Sequence, residues 1–256
     1  MEEIVRSPLI LSDDGCGRMV YFKCDYMLPT GSFKYREAMA VKHLATLQGV
    51  RTVIVATSGN TGEAITSICS DLDVRVYTWN EKVSRVRVIK QVMDEYEMSD
   101  KGRTILFAGG NNQLKMIAHQ IMAREILQQI HEVYHDNPSN HYFQATGGGY
   151  GCTAVKAVWP SRSTTVVSVR PERELIPRWA PALADAPELP EVVEVSASEI
   201  YRAAEHLQSL ASCSPPPGLE AAVGLAGWWR WSKKYGDTER PPVINLTGAL
   251  KGPVPW

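Results

Sequence analysis

Little in this sequence marks it for a membrane, an oxidising compartment or a nucleic acid. Cysteine is sparse: five residues among 256, at positions 16, 24, 69, 152 and 213, odd in number and with no CxxC pair. A disulfide framework and a zinc ribbon are therefore not expected, and reduced thiols in a cytoplasm are. No apolar run approaches the roughly 20 residues that span a bilayer. The opening Met1-Glu2-Glu3 is acidic and has neither the basic nor the apolar region of a signal peptide. Positive charge is not in excess, since Lys+Arg 27 against Asp+Glu 28 leaves a formal net charge of −1. Binding to nucleic acid or to a membrane surface needs a concentrated basic footprint, so neither is expected as a partner.

What remains is an ordinary globular composition, 44% hydrophobic and 21% charged, enough for one large or two small domains. Short β-branched runs alternate with longer amphipathic stretches. Strands are expected at residues 18–24, 52–57, 74–79, 104–107, 142–145, 164–169 and 243–246. TVIVAT and TTVVSV are continuous apolar runs, as strands buried on both faces are. Helices are expected at 34–48, with Gly49 as C-cap, and at 61–70, 81–97, 112–135, 198–210 and 219–234. In the first, Ala38, Val41, Leu44 and Ala45 share a face; in the fourth, Leu114, Ala118, Met122, Ile126 and Ile130 recur four apart. This order predicts right-handed βαβ units and doubly wound sheets. Residues 136–140 and the Pro/Ala-rich 177–190 read as linkers, and 215–217 as a further proline cluster.

Four constellations carry possible chemistry, all at strand–helix junctions, where open α/β sheets bind ligands. Pro29-Thr30-Gly31-Ser32-Phe33-Lys34 places a lysine in a helix's first turn, where the positive dipole end disfavours its charge. A neutral lysine is a nucleophile for carbonyls, although a solvated surface lysine explains the same residues. Thr57-Ser58-Gly59-Asn60-Thr61-Gly62 links a strand to a helix and reads either as an anion site or as an ordinary N-cap. Thr146-Gly147-Gly148-Gly149-Tyr150-Gly151-Cys152 opens another helix and makes a backbone nest for a phosphate. It is neither a GxGxxG fingerprint nor a Walker A. Leu246-Thr247-Gly248 ends the last strand and alone says little.

One competing motif is His131-Glu132-Val133-Tyr134-His135, a literal HExxH, with His141 where a third zinc ligand would stand. Pro138 replaces the glycine that lets such a chain turn, and no methionine follows Met122 to make the required turn. The sequence reading assigns no metal.

In their order, the four constellations resemble those of the fold-type II pyridoxal-5′-phosphate (PLP) enzymes, the tryptophan synthase beta-like superfamily, and most closely its threonine synthase-like branch. The resemblance runs from about residue 7 to 252 and takes in Ser7-Pro8-Leu9 and Phe22-Lys23-Cys24-Asp25. It implies two doubly wound three-layer α/β/α domains, the smaller one reduced. Residues 31–128 would form the small mobile domain, and residues 1–30 plus 129–256 the large phosphate-binding one. Lys34 would be the Schiff-base lysine and general base. Asn60, Gly147, Gly148, Gly149, Tyr150, Gly151 and Thr247 would hold the cofactor, Thr247 facing its ring nitrogen. Thr57, Ser58, Gly59 and Thr61 would hold the substrate carboxylate.

The resemblance further implies a cytoplasmic homodimer that acts on an amino acid by β- or γ-elimination or replacement. Ala221–Trp231, with three tryptophans, suits either a dimer contact or core packing. Two departures stand out. The family's Asp-Arg-Gly after the lysine is Tyr35-Arg36-Glu37 here, and the chain is compressed between Trp79 and Asn112. They leave open a bond-forming or cyclising enzyme of specialised metabolism, or an inert PLP-binding homologue.

Overall fold

The β-branched runs pair into two separate sheets in a computed structural model that describes residues 5–57, 59–79, 82–108, 113–135, 140–146, 149–159, 164–172, 191–210 and 216–249. In chain order the elements are β1 (Leu9–Asp13), β2 (Met19–Lys23), α1 (Lys34–Gln48), β3 (Thr52–Thr57), α2 (Asn60–Ile68), β4 (Asp73–Thr78), α3 (Arg85–Met98) and β5 (Thr104–Phe107). Then follow α4 (Gln113–Tyr134), β6 (His141–Ala145), α5 (Tyr150–Val158), β7 (Thr165–Pro171), β8 (Val192–Val195), α6 (Ala197–Ser209), α7 (Leu219–Tyr235) and β9 (Val243–Asn245). The chain divides into a smaller compact unit built on Lys34–Ala118 and a larger one of Val5–Phe33 with His119–Trp256. Both are α/β, with helices on the two faces of a largely parallel sheet.

In the smaller unit the sheet order is β4-β3-β5, all parallel. Successive residues of a strand point to opposite faces. Val53 and Val55 of β3 therefore meet Ala38, Val41 and Ala45 of α1 and Ala64 and Ile65 of α2, while Ile54 and Ala56 meet Val88 and Val92 of α3. That double burial explains why β3 reads as an unbroken apolar run. Gly49, at φ +64°, ends α1 as expected. α3 starts at Arg85 rather than near residue 81 because the Ser84 hydroxyl caps it, accepting from the Arg87 N–H at 3.3 Å. The compressed stretch after Trp79 holds one described helix, α3, and one strand, β5.

The larger unit has six strands in the order β1-β2-β9-β6-β7-β8, parallel except for β1 against β2. β8 was not expected from the sequence, and of β1 only its first residue, Leu9, falls in a segment that the resemblance marks as a strand. One face packs Phe143, Val167, Val169 and Ile244 under α6 and α7; the other packs Tyr142, Val166 and Val243 under Met122, Ile126 and Ile130 of α4 and Val155 of α5. The α7 tryptophans turn inward. The Trp228 and Trp229 indoles donate to the Asp14 carboxylate and carbonyl at 2.8 and 2.9 Å, and the Trp231 indole to Glu191 at 3.0 Å.

In the competing motif, α4 ends at Tyr134, His135 lies beyond it at φ +50°, and the His141 ring lies 4.9 Å from the Trp231 ring. Of the linkers expected at 136–140 and 177–190, all but Asn140 lie outside the described residues. Among the described residues no helix is long and apolar enough to cross a membrane.

Candidate functional site

β6 and β9 pair directly, Phe143 with Ile244 and Gln144 with Asn245, so the segments leaving their carboxyl ends are neighbours. From β6 the chain reaches Gly149, which caps α5 at φ +78°, a left-handed conformation strained for any side chain. A Cβ on Gly151 would fall 2.4 Å from Gln144 Nε2, so the Gln144 side-chain amide packs directly against the start of the helix. Thr153 is the residue whose N–H closes the first turn, onto the Gly149 carbonyl at 3.0 Å. The amides of Tyr150, Gly151 and Cys152 precede it and have no acceptor within the helix. They sit at its positive end, which favours an anion rich in acceptor oxygens. Gly147 and Gly148 lie outside the described residues.

Thr247 leaves β9 buried at 2% exposure, its hydroxyl donating to the Glu220 carbonyl at 3.3 Å. Its own carbonyl accepts from the Phe33 N–H at 3.0 Å, Ser32 bridges Gly248, and the Ala249 N–H donates to Gly31 at 2.8 Å. The Gly31-Ser32-Phe33 segment is thus laid along the end of β9. The Ser32 hydroxyl is buried there with no hydrogen-bond partner among the described residues, an arrangement that a polar ligand would complete. Cys152, in the first turn of α5, has its sulfur 3.3 Å from Thr146 Oγ1, and burial pushes its thiol pKa up.

In the smaller unit, β3 delivers Thr57 to the start of α2. Thr57 Oγ1 accepts from the Gly59 N–H at 3.1 Å, and the Gly59 carbonyl accepts from the Gly62 N–H at 2.8 Å. Gly59 caps the helix that Asn60 and Thr61 open, so this too is a helix N-terminus over the carboxyl end of a central strand. Ser58 lies outside the described residues.

Lys34 is the first residue of α1, which packs on α2. Its Nζ donates to Glu37 Oε1 at 2.7 Å, and the Glu37 side chain is only 1% exposed against 22% for Lys34. Lys115 completes a charged cluster. Burial pushes its pKa down, Glu37 opposes that shift, and Lys34 and Arg85 add to it.

The structure therefore brings the candidates together in two groups. Gly149, Tyr150, Gly151 and Thr247 follow the carboxyl ends of two adjacent central strands of the larger unit, β6 and β9. Thr57, Gly59, Asn60 and Thr61 share one turn of the smaller. Lys34 is joined to the larger unit through its peptide bond to Phe33. The reading from sequence missed the ion pair to Glu37, although the i,i+3 spacing in a first helical turn was a legible signal for it. It also missed the packing of Gln144 against Gly151, which only strand–helix contact reveals.

A family model described as pyridoxal-phosphate dependent enzyme matches residues 2–154. No curated protein sequence matches the chain. Among solved structures, a hydrogen sulfide-producing enzyme from Fusobacterium nucleatum is similar with a TM-score of 0.73 at 17% identity, over 96% of either chain. The T.th. threonine deaminase is similar with a TM-score of 0.75 at 18% identity, over 98% of this chain and 94% of its own. At such identities the likeness speaks for the fold, which is that of a fold-type II enzyme. Matched over more than half its length, from the N-terminal segment into α5, the chain belongs to the family of pyridoxal-phosphate dependent enzymes, and pyridoxal 5′-phosphate is that family's cofactor.

Proposed function

We propose that the chain is an amino-acid lyase or synthase of the threonine synthase-like kind, acting at Cβ or Cγ by elimination or replacement. The observation that carries this reading is the pairing of Gly31–Phe33 with Thr247–Ala249. It holds the residue before Lys34 beside Thr247, on a strand adjacent to the one that leads to the α5 N-terminus. An amine, a neutral hydroxyl and a phosphate cradle are the three features a phosphorylated pyridine aldehyde requires. The residues present fit it: Gly149 is left-handed, the Gln144 amide packs against Gly151, and the buried Ser32 hydroxyl has no hydrogen-bond partner among the described residues.

When bound, PLP supplies an electron sink for charge that develops at the substrate Cα. The rest falls to the chain. The α5 amides of Tyr150 and Gly151, with Gly147, Gly148 and Gly149, hold the phosphate. Lys34 Nζ would hold the cofactor and, when free, would take the substrate Cα proton. Asn60 hydrogen-bonds the ring oxygen. Thr57, Ser58, Gly59 and Thr61 bind the substrate carboxylate through the α2 N-terminus. Thr247, a neutral hydroxyl, does not enforce protonation of the ring nitrogen, which suits elimination and replacement over transamination. A homodimer is part of the proposal, with a sedimentation coefficient for twice 28.4 kDa as its check.

The test is direct. The full chain incubated with PLP turns yellow, and borohydride then fixes the chromophore to the peptide containing Lys34. O-acetyl-L-serine, O-phospho-L-homoserine, L-threonine and L-cysteine are offered in turn, and release of the leaving group or of an oxo acid is followed. Lys34→Ala is expected to abolish turnover; normal activity in that variant would end the reading. Attachment of PLP with no response to any amino acid would favour an inert binding homologue.

A further inference from the structure

The Lys34–Glu37 pair is a feature the family pattern does not supply, since Glu37 occupies the position where that pattern carries glycine. A glycine there offers nothing to the lysine. Glu37 offers a carboxylate with 1% side-chain exposure whose Oε1 is 2.7 Å from Lys34 Nζ. Hydrogen bonds between charged partners are about twice as strong as neutral ones, and burial of the acceptor strengthens them further. A carboxylate in a helix's first turn also suits the dipole, so a purely structural role must be separated from one exerted on the amine.

We infer that Glu37 is a positioning residue for Lys34: it orients Nζ whenever the amine is not bound to the cofactor, and it stabilises the ammonium that forms when Lys34 takes a proton. The inference rests on the reading of Lys34 as the cofactor-bound amine. The proton balance is simple. The Lys34 amine accepts H⁺ from the substrate Cα, its lone pair becoming the new N–H bond, and the positive charge so created faces the Glu37 carboxylate. This is the logic of a base oriented by a third group. The charges around the pair come from three helices. Glu37 lies on α1 with Lys34, Lys115 comes from α4, and Arg85 from the start of α3. Glu37 is the anion among these four groups, and its removal takes from Lys34 the carboxylate that its Nζ meets at 2.7 Å.

The test uses the full chain stripped of PLP, in wild type and in Glu37→Gln, Glu37→Asp and Glu37→Gly. Brief acetylation at pH 7.5 is followed by peptide mass spectrometry, with exposed Lys233 as internal reference. Glu37→Gln, which keeps the shape and loses the charge, is expected to acetylate Lys34 about tenfold faster relative to Lys233, the factor that corresponds to losing one hydrogen bond to a charged partner. Glu37→Asp should fall between. Glu37→Gly, which restores the family residue, should match Glu37→Gln. Equal ratios in all four proteins would overturn the inference, because a carboxylate that only stabilises the helix does not change amine reactivity. A thermal melt confirms that each variant is folded. Reloading with PLP and borohydride trapping then reads the underlying assignment separately. Failure to label Lys34 in the wild type would sink the cofactor role of Lys34, whereas the acetylation ratio tests the ion pair alone.

Discussion

At the scale of single residues, burial decides which groups react. Cys16 is exposed, whereas Cys24, Cys69 and Cys152 are buried. Desolvation pushes Cys69 up to about 11 and raises Cys152 as well, so neither offers appreciable thiolate at pH 8. A disulfide reagent, followed by peptide mass spectrometry, should therefore label Cys16 well ahead of Cys69 and Cys152. Labelling of Cys152 at a comparable rate would contradict its placement beneath Thr146. His141 responds to pH in the opposite way. Burial against Trp231 lowers its pKa in the fold, while the unfolded value is about 6.5. The folded chain then binds fewer protons, so this residue's contribution is intact above about pH 6.5 and is lost as pH falls below it. His141→Gln should flatten the decline of Tm between pH 7 and 5, and an unchanged slope would show that other groups govern it. Motif order alone is enough to put Lys34, Thr247 and Gly149 among the candidates. The buried Ser32 hydroxyl was not legible in the sequence, since its surroundings come from a segment more than two hundred positions away.

At the scale of elements, the central strands and their covering helices announce themselves, and the edges do not. β3 carries its whole pattern in its own six residues, TVIVAT, because both of its faces are covered. β1 and β8 are short edge strands whose pattern is only partly buried, and they exist because a neighbour offers a ladder. Helix packing is likewise written in small residues whose meaning needs the partner. A Cβ on Gly227 would lie 2.3 Å from Val169 Cγ2, so α7 rests on β7 at a distance only glycine permits. Gly227→Ala is expected to cost about 1–3 kcal/mol by overpacking. Calorimetry reads it as a lowered Tm, and wild-type stability in this variant would mean that α7 can shift on the sheet without cost.

For the molecule as a whole, the question is what ties distant parts of the chain into the larger unit. Lys23 is fully buried, and its Nζ meets the Glu125 carboxylate, the Gln129 side chain at 2.7 Å and the Ser7 carbonyl at 2.7 Å. The Ser7 N–H donates to the same Glu125 carboxylate at 3.1 Å, and its hydroxyl to Asp25 at 2.6 Å. One polar knot thus fastens the N-terminal segment and β2 to α4, across more than a hundred positions. A charge pair in such surroundings does not add stability simply by existing, because desolvating both ions opposes their attraction. Losing one partner is another matter, since a buried ammonium then keeps its desolvation cost without its nearest counter-charge. Glu125→Leu is expected to destabilise the fold by about 3–5 kcal/mol, a large part of the roughly 5–15 kcal/mol that holds a domain together. Lys23→Met combined with Glu125→Leu removes both charges and keeps apolar volume, and should recover most of that loss. Urea denaturation of the two singles and the double completes the cycle. A double variant less stable than either single, by the sum of their losses, would mean that the two groups act independently and that packing alone holds the N-terminal segment in place.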